Sequence, residues 1–305
     1  MLLGCMRLGG EGDRVGSADI AAAEAAVGAA LEAGITVFDL ADIYRGGRSE
    51  TVFGEVLRRA PGLRERIVIQ TKCGIRLADA DMPGHYDLRG ASIRRRVEQS
   101  LRRLGVDAID ILLLHRPDPL ADPADVGETL DALRTEGLVR RFGVSNMSAP
   151  QIALLQAHLS VPFTVNQLQM SLRHRDWLEA GVLVNTAEAA ANGFPLGTVE
   201  HCVANGIALQ AWEPLAQGRY TGRQETPAEV ATARLVADLA RDKGTTPETV
   251  VLWWLRRHPA GITPVIGSTR PSRIAACADA VRRPPELTHE EWYRLWVTAR
   301  GAKLP

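Results

Sequence analysis

The sequence predicts a single-domain (β/α)8 barrel over residues 1–305, and three observations carry that prediction. Short β-branched runs alternate with amphipathic, alanine- and arginine-rich segments along the chain. The runs are continuously apolar (IVIQTK, IDILLL) rather than alternating, which is the pattern of parallel strands covered by helices. Eight strands alternating with helices fill about 250–300 residues, the usual span of such a barrel. A doubly wound sheet is the rival architecture and would show a G-x-G-x-x-G turn after its first strand. Gly9–Gly16 (GGEGDRVG) has the glycines but not that spacing.

The first strand is read at Leu2–Met6, and the helix Asp19–Ala33 stops at Gly34. The second unit pairs Ile35–Leu40 with Ser49–Ala60, and the third pairs Ile67–Lys72 with Ala91–Leu104, where Ser92 marks the start and Gly105 the stop. Ile109–His115 is followed by Pro123–Glu136 and the stop Gly137, then Val139–Ser145 by Ala149–His158. Phe163–Gln169 precedes Thr198–Asn205, and Ile207–Trp212 precedes Pro227–Lys243 and Pro247–His258. The last unit is Thr263–Gly267 with Pro271–Val281. Pro247 suits a first helical position, where its missing N–H costs nothing, and glycine suits a helix stop. A C-terminal extra helix, His289–Thr298, would pack outside the barrel through Trp292 and Trp296.

Composition narrows the function. The 36 basic and 36 acidic side chains cancel, which leaves no electrostatic footprint for nucleic acid or an anionic membrane. No apolar run approaches the ~20 residues that span a bilayer, and MLLGCMRLGG is too short and glycine-rich for a signal peptide. A cytoplasmic location is therefore expected. Cys5, Cys73, Cys202 and Cys277 are widely spaced and the seven histidines scattered, so neither a disulfide framework nor a metal site is expected. Lys72, Lys243 and Lys303 are the only lysines in an arginine-rich chain. A lysine inside a strand is notable because its pKa responds to burial.

In a barrel of this kind the C-terminal ends of the strands line the active site. Those ends carry Asp39, Lys72, His115, Ser145 with Asn146, Gln167, Trp212, and Gly267 with Ser268, while Tyr44 lies in the second βα loop. Lysine beside a carboxylate in a dry site stays charged, and a nearby cation lowers a tyrosine's pKa. Such a tyrosine can protonate a developing alkoxide while a histidine orients the substrate oxygen. The same lysine could instead form a Schiff base with a carbonyl substrate. Taken singly, each residue has a bland reading: Lys72 as a snorkelling strand end, Tyr44 as a surface residue, His115 as a satisfied histidine, Trp212 as core packing. Their joint placement is the stronger signal.

The segments FDLADIY (Phe38–Tyr44), QTKCG (Gln70–Gly74), LLLHRPDP (Leu112–Pro119) and FGVSN (Phe142–Asn146) resemble the aldo-keto reductase family. VNQ (Val165–Gln167), AWEPLAQG (Ala211–Gly218) and IGSTRPSRI (Ile266–Ile274) extend the resemblance over residues 1–285, most nearly to the bacterial YdhF-like oxidoreductases. The resemblance implies a catalytic tetrad of Asp39, Tyr44, Lys72 and His115. Tyr44 would be the general acid, with its pKa depressed by Lys72 paired to Asp39, and His115 would bind the carbonyl oxygen. It implies hydride transfer from NADPH, with NADH as the alternative cofactor, to an aldehyde or ketone. Cys5, Met6 and Asp39 would border the cofactor. Ser145, Asn146 and Gln167 would hold its carboxamide, and Trp212 would stack on the nicotinamide. Leu215, Gln217 and Gly218 would contact the pyrophosphate; Gly267, Ser268, Thr269 and Arg273 would grip the 2′-phosphate, where an arginine fork suits the ligand.

Three departures accompany the match. Gly267 replaces the family's usual lysine, with Arg270 as a substitute charge, and Cys277 stands where an asparagine commonly contacts the adenine. The reading also has no N-terminal hairpin below the barrel, which is expected to expose apolar floor residues. The substrate is a small-molecule carbonyl compound selected by the loops Leu77–Leu88, Leu172–Leu183 and Arg219–Pro227. The shortness of the third loop is expected to leave the cofactor less enclosed. Two other functions stay open: a nucleotide-sensing binding subunit similar to the potassium-channel β subunits of the same superfamily, and a Schiff-base lyase using Lys72. The resemblance implies no oligomeric state.

Overall fold

The computed structural model describes residues 1–12 and 14–305. Among them the strands are β1 (Leu2–Gly4), β2 (Val37–Asp39), β3 (Val68–Cys73), β4 (Ile75–Arg76), β5 (His85–Tyr86) and β6 (Ile109–Leu114). They continue with β7 (Val139–Ser145), β8 (Val165–Gln169), β9 (Ala208–Trp212) and β10 (Thr263–Ile266). The helices are α1 (Ser17–Glu32), α2 (Arg48–Arg59), α3 (Gly90–Leu104), α4 (Pro123–Thr135), α5 (Ala149–Gln156) and α6 (Asp176–Val182). After these come α7 (Thr198–Ala204), α8 (Pro227–Asp242), α9 (Pro247–Arg256), α10 (Pro271–Ala276), α11 (Asp279–Arg282) and α12 (His289–Arg300).

Eight strands close in the order β1-β10-β9-β8-β7-β6-β3-β2, and every barrel pair is parallel. Because all eight run the same way, their C-terminal ends meet on one rim. The outward faces of the strands pack under the helices in two large apolar clusters, one centred on Phe38, Phe53 and Ile69, the other on Phe142, Trp254 and Trp296. Helix ends follow their local chemistry. Thr226 and Glu229 form a capping box on α8, and Thr246 caps α9 ahead of Pro247. Gly34, Gly105 and Gly137 take positive φ at helix stops. α12 packs outside the barrel, where the Trp254 and Trp292 rings stack at 5.3 Å and each indole N–H donates to the other residue's carbonyl.

The structure departs from the sequence reading in four places. The stretch Pro271–Val281 is two helices, α10 and α11, rather than one. The Ala276 carbonyl accepts from the Thr246 and Thr249 hydroxyls of α9, which takes it out of the helical ladder, and Ala280 N–H turns to the Cys277 carbonyl instead. The loop Leu77–Leu88 follows β4 directly and contains β5, and the two strands pair as a hairpin with Ile75 opposite Tyr86. The loop Leu172–Leu183 holds α6, which forms because Trp177 packs edge-on against Trp254 and His258. Finally, the apolar barrel floor is not exposed. Ile111, Leu113 and Val165 pack on one another inside the barrel and are buried, with Val68 against them. No helix of the described residues is long and apolar enough to cross a membrane.

Candidate active site

The rim gathers the residues of the expected tetrad through strand register. Asp39 ends β2 and is paired with Gln70 of β3, and Lys72 lies two residues further along the same inward face. Lys72 is 1% exposed, and its Nζ donates to three acceptors: Asp39 Oδ2 at 2.7 Å, the Leu40 carbonyl at 2.9 Å and Tyr44 Oη at 3.0 Å. All three ammonium protons are therefore committed. Tyr44 begins a tight turn just past β2, and its ring lies edge-on to His115, centroids 6.0 Å apart.

The electrostatics follow from burial and pairing. Burial pushes the Lys72 pKa down, but Asp39 and Tyr44 outweigh it and the net direction is up, so the ammonium is kept. Burial raises the Tyr44 pKa; Lys72 lowers it, yet the net shift is upward. This corrects the expected depression: in this geometry desolvation of the phenolate exceeds the pull of Lys72, so Tyr44 keeps its proton. Burial, with Lys72 and Arg116 adding to it, lowers His115 to about 2, so the ring is neutral. Its Nδ1 is buried without a hydrogen-bond partner.

Beside the tetrad sits the group expected at the carboxamide. Asn146 adopts φ 56°, a left-handed conformation, which folds its side chain back. Asn146 Nδ2 donates to Ser145 Oγ at 2.8 Å, Ser145 Oγ donates to the Gln167 carbonyl at 2.9 Å, and Trp212 Nε1 donates to Asn146 Oδ1 at 3.0 Å. The Trp212 ring is thus tied by its edge, with its faces left for packing. Gln167 Nε2 donates to Asp39 Oδ1 at 3.1 Å.

Further along the rim, Ala216, Gln217 and Gly218 have positive φ in succession. The turn is held by its own backbone: Ala216 N–H donates to the Glu213 carbonyl at 3.0 Å and Gly218 N–H to the Leu215 carbonyl at 2.8 Å. Leu215, next to them, packs on both apolar clusters. At the last strand end, Gly267 is exposed, Ser268 and Thr269 are half-buried, and Ser268 Oγ accepts from Arg270 N–H at 3.3 Å. The Arg270 and Arg273 guanidinium groups are exposed and make no ion pair among the described residues, so they can receive a phosphate. Cys277 is turned inward, with burial raising its thiol to about 12 and Sγ donating to the Arg273 carbonyl at 3.3 Å. Cys5 is sealed, whereas Met6 is 54% exposed. The third loop, Arg219–Pro227, is closed on itself by an Arg219–Glu225 ion pair.

Sequence reasoning passed over several side chains of this rim. Gln70 and Gln210 lie directly under the tetrad, fully or nearly buried. Their signal was available: each stands two residues before a rim residue, Lys72 or Trp212, so the inward face of its strand turns polar. Glu213 was also missed; it adopts φ 58° and accepts from Gln169 Nε2 at 2.6 Å and from Gln217. Asp42 is buried with neither carboxylate oxygen hydrogen-bonded, and Arg96 Nε lies 3.6 Å away.

The profile of the Aldo/keto reductase family matches residues 1–296. A 6-dehydroglucose reductase of Agrobacterium fabrum is 35% identical, covering 100% of this chain and 95% of its own. Oxidoreductase YdhF of Escherichia coli is 34% identical over 90% of this chain and 86% of its own. Among solved structures, an aldo/keto reductase from Klebsiella pneumoniae in complex with NADP and acetate superposes with a TM-score of 0.73 at 26% identity. It covers 96% of this chain and 89% of that one.

Proposed function

The chain belongs to the aldo/keto reductase family, and from that premise we propose that it reduces an aldehyde or ketone to an alcohol, with NADPH as cofactor and NADH as the alternative. One observation carries the reading of the site: a buried ammonium, Lys72, bonded at once to Asp39 and to Tyr44, beside a neutral histidine. Ser145, Asn146 and Gln167 would hold the carboxamide, with Trp212 against the ring. The turn Leu215–Gly218 would take the pyrophosphate, and Ser268, Thr269, Arg270 and Arg273 the 2′-phosphate. When bound there, the cofactor would supply a hydride to the carbonyl carbon.

The chain's own part is proton delivery and polarisation. Lys72 donates into the Tyr44 oxygen, so the phenolic proton is directed away from Lys72 and is available to the substrate oxygen. As negative charge develops on that oxygen, Tyr44 gives up the proton, and the adjacent ammonium stabilises the phenolate that forms. Asp39 keeps Lys72 charged and aimed. His115, neutral, polarises the carbonyl as a hydrogen-bond donor. A lysine held protonated in this way is the opposite of what a Schiff base requires, since that reaction needs the free amine.

The name of the Agrobacterium relative supports a sugar-derived carbonyl compound as the first substrate to test. The assay uses NADPH carrying deuterium at C4 with a C6-aldehyde of glucose and a panel of simple aldehydes and ketones. Deuterium on the new carbinol carbon, with no borohydride-trapped adduct on Lys72, is the expected outcome. Folded protein that turns over none of these compounds with either cofactor, or a trapped adduct on Lys72, overturns the proposal.

A further inference from the structure

We infer that Gln70 and Gln210 are positioning residues that lock the Gln167 amide so that its carbonyl, and not its NH2, faces the cofactor's carboxamide. The inference rests on the reading of Gln167 given above. Register brings the groups together. Asp39 is paired with Gln70 across β2–β3, and Gln167 with Gln210 across β8–β9; neither strand pair borders the other, so the two pairs meet across the barrel interior. All four side chains are buried.

Hydrogen-bond accounting then leaves one arrangement, independent of how amide O and N are told apart. Asp39 Oδ1 can only accept, because Asp39 is paired with the Lys72 ammonium. Both glutamines that touch it must therefore present NH2, and they do: Gln70 Nε2 at 2.6 Å and Gln167 Nε2 at 3.1 Å. Each NH2 has a second proton, and both go to Gln210 Oε1, at 2.8 Å from Gln70 and 2.9 Å from Gln167. With its oxygen so fixed, Gln210 turns its own NH2 to Gln70 Oε1 at 2.9 Å. Gln167 Oε1 is the one acceptor the layer leaves over. It takes no hydrogen bond among the described residues and is not among the sealed, unpartnered atoms.

The layer thus ties the tetrad's carboxylate to the expected cofactor contact. Without Gln210, Gln167 is held at one point instead of two and its amide can swing about the Asp39 contact. Methionine matches glutamine in length and removes both hydrogen-bonding functions, so Gln210→Met is the test variant. Binding of NADP and of its 3-acetylpyridine analogue, in which methyl replaces the carboxamide NH2, is measured by calorimetry on intact protein, beside Gln167→Met and wild type.

Wild type is expected to prefer NADP by about five- to tenfold, the worth of one hydrogen bond. In Gln210→Met the preference shrinks to about twofold or less through weaker NADP binding, while analogue affinity is unchanged. A purely structural role would weaken both ligands alike. If Gln210→Met does not fold, Gln70→Leu/Gln210→Met, which leaves fewer unpaired partners, is read by the same ratio. Retention of the full preference in these variants while Gln167→Met abolishes it overturns the positioning role and leaves the carboxamide reading intact. Equal binding of the two ligands by wild type removes the carboxamide reading itself, and the inference with it.

Discussion

Tyr44→Phe separates acid catalysis from everything else the site does. The hydroxyl accepts one hydrogen bond, from Lys72 at 3.0 Å, and Lys72 keeps Asp39 at 2.7 Å and the Leu40 carbonyl at 2.9 Å when it is removed. The loss in stability is therefore that of a single bond, about 1 kcal/mol, or a fall in Tm of about 1–2 °C. The ring still meets His115 edge-on, so the pocket wall is retained. Chemistry suffers far more. Loss of a positioned general acid costs about 10²–10⁴ in rate, equivalent to about 3–5 kcal/mol of barrier. Steady-state kinetics with NADPH and one accepted carbonyl substrate should show kcat/KM down by that factor, with cofactor affinity within about twofold of wild type. In wild type, kcat/KM should show no inflection near the ordinary histidine range, because His115 is lowered to about 2, chiefly by burial. A variant with unchanged kcat/KM would refute the assignment of Tyr44 as the acid.

Three further outcomes follow from other contacts. Lys72→Met strands the buried Asp39 carboxylate and should cost about 3–5 kcal/mol in chemical denaturation; adding Asp39→Asn should recover part of it, and additive losses would contradict the pairing. Arg270→Ala/Arg273→Ala should weaken NADPH about 10–100-fold, as expected for charge-assisted phosphate contacts, while leaving NADH within about threefold; equal losses for both would dissociate these arginines from the 2′-phosphate. Asp42 is raised from 3.8 to about 7, mainly by burial, so the folded state holds a proton that the unfolded state releases between those values. Its stabilising contribution is complete below pH 3.8 and lost as pH rises through about 7, by up to about 4 kcal/mol. Asp42→Asn should therefore flatten the decline in Tm between about pH 4 and pH 7, and an identical decline in both proteins would refute it.

The strand ends were legible because each apolar run stops at a polar or aromatic residue, and a parallel barrel must present those stops on one rim. Asp39, Lys72 and His115 could be named from their positions, and Tyr44 from the resemblance that FDLADIY carries. The direction of the Tyr44 shift was not legible, since it depends on whether desolvation or the nearby ammonium prevails, and burial is a property of the folded chain. The break between α10 and α11 was hidden for a similar reason: it is made by hydroxyls of Thr246 and Thr249, about 30 residues away along the chain.

By itself, then, the order of residues determined the alternation of elements, the closed parallel barrel and the polar residues that end its strands. These depend on periodicity and on which residue ends each strand, both of which are local. Tertiary structure alone decided what those groups do to one another. Lys72 meets Asp39 and Tyr44 only because β2 and β3 are neighbours in register. Gln70 meets Gln210 from 140 positions away only because the barrel closes. Hydrogen bonding and desolvation act through distances of a few ångströms, and no local pattern in the chain encodes which distant side chains come that close.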